Sequence, residues 1–243
     1  MIVKMYENLS KKLDLDRKFN DAVFSWDIEA VKELFSDSIE NKPDINRDLV
    51  SGPAILLSAM DKQWDMFELL YTLEADLDVK LISNDWHLIH ECVKNAPLEI
   101  TKTLIEYCNL NVQTEDGKTP LMVAIREKNG TVASLLLNTN TLRLDLSDIN
   151  GNNVAHYAAK AGMDELFLAL IREGVPLNRK NKEGKYPADL IENEFFKQSI
   201  PQVEAQIVKE TKKHVQDVAE QQTKAVGDKP EGLSGLSVIK KKF

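Results

Sequence analysis

The residues best suited to chemistry cluster at His87, His90, Glu91 and Cys92, an imidazole, carboxylate and thiol group that raises two possibilities, a metal site or an activated nucleophile. A zinc site needs an HExxH pair or cysteines roughly two to four residues apart. Neither is present, and the other cysteine, Cys108, stands outside finger spacing. A cysteine nucleophile needs a base or cation that holds it as thiolate, and neither thiol carries such a signature. No glycine-rich phosphate loop, Walker loop or GxSxG elbow occurs. The chain is expected to have no catalytic residues, no metal and no cofactor.

Composition places these residues in one elongated domain with a tail. The 243 residues are 43% hydrophobic, enough for a substantial core, and no apolar run approaches the ~20 residues of a membrane span. The first residues, Met1-Ile2-Val3-Lys4-Met5-Tyr6-Glu7, lead into no long apolar stretch followed by small residues, so no secretory signal is expected there. Two cysteines make no disulfide framework, so a reducing, cytoplasmic setting is expected. The net charge of −8 is uneven. Lys197–Phe243 hold 9 Lys against 6 acidic residues, whereas residues 1–196 hold 22 basic against 33 acidic, a charge of −11. Such a body repels phosphate backbones and attracts a basic patch on a partner.

Internal repetition organises the chain. Asp116-Gly117-Lys118-Thr119-Pro120-Leu121-Met122-Val123-Ala124 is echoed by Asn150-Gly151-Asn152-Asn153-Val154-Ala155-His156-Tyr157-Ala158, and the two alanines lie 34 residues apart. The same register passes through Ala22, Ser58, Cys92 and Ile191, with spacings of 36, 34, 32, 34 and 33. After each small residue, apolar residues recur at helical spacing: Met66, Phe67, Leu69 and Leu70; Val132, Ala133, Leu135 and Leu136; Leu166, Phe167, Ala169 and Leu170. The third copy matches at Ile100 and Leu104, less well at Thr101 and Thr103.

These segments resemble the ankyrin repeat, whose signature is a turn glycine, Thr-Pro-Leu-His and then alanine. The resemblance implies an all-α solenoid of helix-turn-helix units with short hairpin tips and a C-terminal helical or flexible tail. Domain limits are expected at 1–196 for about five repeats and a capping half-repeat, 197–226 for an amphipathic helical extension, and 227–243 for a flexible basic tail. No second helix is expected in register after Ile191. Two departures, Asp85 in place of the turn glycine and the missing Thr-Pro of the second copy, predict local weakness or altered geometry. His90 and His156 fall on the histidine slot, where the family uses the ring for hydrogen bonds between repeats. His87 falls on the threonine slot as a substitute cap. Trp26 and Trp64, near the starts of outer helices, are expected to pack between repeats.

The resemblance further implies a protein partner lying across the concave face, with no membrane and no direct nucleic-acid contact. The tips carry Asn84, Trp86, Glu115, Asp116, Lys118, Asn150, Asn152, Glu183 and Lys185. The inner-helix flank carries Met60, Asp61, Lys94, Asn95, Arg126, Glu127 and Lys160. Trp86 stands out, either as a binding anchor or folded back on a neighbouring tip. Isolated repeat proteins of this kind in bacteria resemble effectors, immunity partners or phage-encoded inhibitors. An alternative is an acidic inhibitor that mimics nucleic acid or an acidic substrate by charge.

Overall fold

The computed structural model describes residues 2–39 and 41–227, which fall into two compact units divided between Lys197 and Gln198. The first unit is built from helix pairs. These are α1 (Ile2–Phe24) with α2 (Ile28–Leu34), α3 (Ala54–Met60) with α4 (Trp64–Thr72), and α5 (Leu88–Asn95) with α6 (Leu98–Tyr107). Then follow α7 (Pro120–Arg126) with α8 (Gly130–Leu137), and α9 (Val154–Ala161) with α10 (Asp164–Arg172). A single 3₁₀ turn, Pro187–Leu190, precedes α11 (Glu194–Gly227). Inner helices pack in sequence, α3 on α5, α5 on α7, α7 on α9 and α9 on the 3₁₀ turn, while α2 meets α4 and α6 meets α8 on the outer side. The fold is an all-α ankyrin solenoid.

Local chemistry explains why each pair forms. The Thr119 hydroxyl accepts from the Met122 N–H at 3.3 Å, and Pro120 fills the first turn, where no N–H is needed. Asn129 caps α8 through Val132 N–H at 3.3 Å and donates its amide to the Val93 carbonyl of the preceding pair at 3.0 Å. The small-residue slots Ala22, Ser58, Cys92, Ala124, Ala158 and Ile191 are all buried, as close packing of neighbouring inner helices demands. Ser58 donates to the Ile55 carbonyl of its own helix at 2.7 Å. Thr101, a poor match by pattern, is buried with its hydroxyl on the Pro97 carbonyl at 3.2 Å. Met66, Phe67, Leu70, Leu104, Val132, Leu136, Phe167 and Leu170 are buried on the second helices. Each such aliphatic or aromatic side chain contributes about 1.5–3 kcal/mol. No helix pair has core enough to stand alone, so stability accumulates between neighbours.

Four features stand out. The first copy opens with a helix of 23 residues, against 7 or 8 for α3, α5, α7 and α9, and its C-terminal end buries Phe19, Ala22 and Val23. After Ile191 a helix follows outside the register of the others: α11 starts at Glu194, closer to its small-residue slot than α4, α6, α8 and α10 are to theirs, and Asn193 accepts from the Phe196 N–H at 3.2 Å and donates to Asp164 at 3.0 Å. Asp85 keeps the left-handed conformation of the glycine it replaces, at φ 52°. Finally, Trp64 stacks edge-on against Phe67 of its own helix, at 6.1 Å between ring centroids.

A further left-handed slot recurs four residues after the small one, occupied by Trp26, Lys62, Lys128 and Gly162. The third repeat lacks it because Ala96 precedes Pro97 and is held extended. In the second unit, α11 continues from Gln198 to Gly227 through Pro201. The tail expected over 227–243 lies, past Gly227, outside the described residues.

Candidate functional site

The hairpin tips are tied to each other through their backbones. Glu115 N–H donates to Asn84 C=O at 2.9 Å, Ile149 N–H to Asp116 C=O at 2.9 Å, and Lys182 N–H to Asn150 C=O at 2.8 Å, one bond per junction at the same register. Within each tip a side chain closes the turn. Asn84 accepts from the Trp86 N–H at 3.0 Å, Asp148 from the Asn150 and Asn152 N–H groups at 2.9 and 2.8 Å, and Asn181 from the Glu183 and Lys185 N–H groups, both at 3.0 Å. The tip backbone is thus occupied, and side chains are what the face presents.

The histidines join tips to inner helices. His90 Nδ1 accepts from the His87 N–H at 3.1 Å, so Nε2 carries the proton and donates to the Lys118 carbonyl of the next repeat at 3.0 Å. His156 repeats this arrangement with the Asn153 N–H and the Lys185 carbonyl, both at 3.2 Å. His87 occupies the cap position, but its ring turns to the Asp85 carbonyl at 3.0 Å; only the His90 half of the cap is made.

Burial, with a smaller contribution from the charge of His87, pushes the His90 imidazolium down to about 4, so the ring is neutral when folded. The sign follows. As pH falls below about 6.5 the unfolded chain takes a proton that the folded ring refuses, so stability is complete above that value and drains until about pH 4. Between pH 7 and pH 5 His90 alone is expected to remove roughly 2 kcal/mol. Urea unfolding at the two pH values should show that loss, and His90→Gln should be less stable at pH 7 with a shallower decline. An equal decline in the variant would contradict this role.

Trp86 folds onto its own repeat. Its indole N–H donates to Glu91 at 3.1 Å, its ring lies 5.3 Å from that of His90, and the Lys94 ammonium sits over it at 5.5 Å. Glu91 is buried and also receives Lys94 at 3.2 Å and Asn95 at 3.3 Å. This cluster fixes the flank of α5 and leaves Trp86 half-exposed. Sequence reasoning weighs Glu91 only as a possible metal ligand and gives no sign of its place beneath Trp86.

Other anticipated residues gather farther along the same side. Lys118, Arg126, Asn150, Asn152, Lys160 and Lys185 line one open groove of about 610 Å³, together with Lys128, Asp148, Tyr157 and Glu192. Asp148 is buried beneath it, accepting from Tyr157 Oη at 2.9 Å and the Asn152 amide at 3.1 Å. That bond, after burial, holds the Tyr157 phenol well above its ordinary range. Lys118 pairs with Asp116 at 2.7 Å, Arg126 with Glu127 at 2.8 Å and Lys185 with Glu183 at 3.0 Å. These contacts, first the hydrogen bond and then the charge, hold the Asp116 and Glu183 carboxyls below the usual range. Asn152 is committed to structure, accepting from Asn181 at 2.8 Å. Asn84, Glu115, Asp116, Glu127, Asn150, Met60 and Asp61 are exposed.

The thiols take no part. Burial raises Cys92 far above its ordinary range and Cys108 to about 12, so both are protonated near neutrality. Among the described residues no group of three His, Cys, Asp or Glu converges on a metal position, and no helix is long and apolar enough to cross a membrane.

Comparison with known proteins agrees with this geometry. Residues 89–181 match the family model described as ankyrin repeats, in three copies. Over 156 residues the chain is 28% identical to a Saccharomyces cerevisiae protein named probable 26S proteasome regulatory subunit p28, covering 62% of this chain and 66% of that one. The matched stretch is thus just under two thirds of the relative's length. In-phase helix pairs, buried small-residue slots, bonded tips and the family match identify residues 89–181 as a run of ankyrin repeats, and the helix pairs before them keep the same order.

Proposed function

We propose that the chain is a protein-docking module that holds a partner across the hairpin tips and the exposed flank of the inner helices, as a non-catalytic adaptor or inhibitor. One observation carries this reading. A backbone bond between repeats fixes each tip against the next, while Glu115, Asp116, Arg126, Glu127, Asn150, Lys160 and Lys185 are exposed on those tips and inner-helix ends. Side chains held on a rigid scaffold are what recognition requires. The name of the yeast relative adds a direction: the partner belongs to an assembly of the proteasome-regulatory kind. The charge-mimic reading rests on the −11 of residues 1–196, and the mixed signs of the tip face favour docking over it.

A pair of charge swaps tests the face. Arg126→Glu with Glu127→Arg preserves both net charge and the local ion pair, as does Glu99→Lys with Lys102→Glu on outer helix α6. Affinity for a partner captured by the full chain should fall about tenfold or more in the first variant and stay unchanged in the second. The reverse pattern would place the partner on the outer helices.

A further inference from the structure

The groove between α7, α9 and the last tip has a charge balance opposite to that of the domain around it. Its lining holds Lys118, Arg126, Lys128, Lys160 and Lys185 against Asp148, Glu183 and Glu192. Asp148 is buried, and its oxygens accept four hydrogen bonds, from two backbone amides, the Asn152 amide and Tyr157. It therefore has little capacity left for a surface cation. Glu183 is held by Lys185, and Lys118 and Arg126 have partners at the rim. Lys128 and Lys160 are exposed and make no ion pair among the described residues, although the charge of Lys160 adds a smaller contribution to the lowering of Glu183. Two unpaired ammonium groups thus face one groove of a domain whose acidic residues outnumber its basic ones 33 to 22.

We propose that this groove receives an acidic, extended segment of the protein partner, with carboxylates reaching Lys128 and Lys160. This deepens the docking assignment and rests on it. The two lysines belong to adjacent repeats, whose inner helices pack roughly 8–10 Å apart. An extended strand covers that distance in about three residues, so the fitting segment carries Asp or Glu about three positions apart. Polar hydrogen-bonding groups beside the lysines suit a peptide backbone. The local balance also favours a short acidic segment over a long polyanion. Beyond about 8 Å of screening length, a nucleic acid leaving the groove would meet the acidic remainder of the domain.

The test uses the full chain and a fluorescein-labelled glutamate-rich peptide long enough to cross two repeats, followed by anisotropy. Binding should weaken with added salt and fall about tenfold or more in Lys128→Glu/Lys160→Glu, with Lys102→Glu as an unchanged control. Circular dichroism should show an intact fold, because both groove lysines are exposed. Equal binding by the double variant, preference for a lysine-rich peptide, or tighter binding of a single-stranded oligonucleotide of equal charge would each overturn the proposal. The natural complex separates the two ideas. A partner that is lost with the Arg126/Glu127 swap but kept by Lys128→Glu/Lys160→Glu refutes the acidic segment alone, whereas a partner indifferent to the swap refutes the face itself.

Discussion

Phe167→Ala is expected to cost about 3–5 kcal/mol and to unfold one end of the repeat unit before the other. Phe167 is fully buried on α10, beside Leu166 and Leu170, with the Phe196 ring edge-on at 6.0 Å. Alanine removes the ring and leaves a cavity between elements that already have little core each. Because stability in a stack is a sum of neighbouring terms, the loss falls on α9, α10 and the 3₁₀ turn. Hydrogen exchange in mild denaturant should show early opening over residues 154–191, with α3 to α6 protected as in the parent chain. Uniform loss of protection along residues 54–191 would mean that the repeats behave as one cooperative block.

Gly117→Ala should cost roughly 2–4 kcal/mol, more than its counterpart Gly184→Ala at about 1 kcal/mol. Both glycines sit at φ 76°, so both variants carry the left-handed penalty. Only at Gly117 would the new Cβ meet the next repeat's backbone, 3.0 Å from Asp148 Cα and 3.1 Å from Ile149 N; at Gly184 nothing lies within 4 Å. The strained contact adjoins the Asp116 to Ile149 bond that joins two tips. Thermal unfolding of the two variants measures the difference directly. Equal losses would show that conformation alone, and not tip-to-tip approach, sets the demand for glycine at position 117.

The repeat register was legible because it depends on local rules: a small residue where helices approach, a capping Thr119 before Pro120, and apolar residues at helical spacing. His90 and His156 were legible for the same reason, since their slot is periodic. Features that depend on nonlocal partners were not. Glu91 stands out in the sequence only as one member of a candidate metal cluster, and its structural role shows only once Trp86, Lys94 and Asn95 are placed around it. Lys128 entered the groove unannounced because its position follows from a left-handed turn that a lysine does not advertise. The start of α11 did leave a local signal, Asn193 followed by Glu194, but it falls outside the register of the other second helices, so the repeat pattern does not point to it. The length of α1 had no counterpart in the other repeats to compare with.

Hydroxyl-radical footprinting of the full chain with its captured partner tests the docking face most directly, because oxidisable side chains are exposed on both sides of the stack. Met60, Ile82, Ile149 and Tyr186 lie at the tips and inner helices, whereas Tyr71, Leu98 and Tyr107 lie on outer helices. Partner binding is predicted to protect several of the first group and leave the second oxidised as in the free chain. Protection of Tyr71, Leu98 and Tyr107, with the tip residues still reacting freely, would contradict the account.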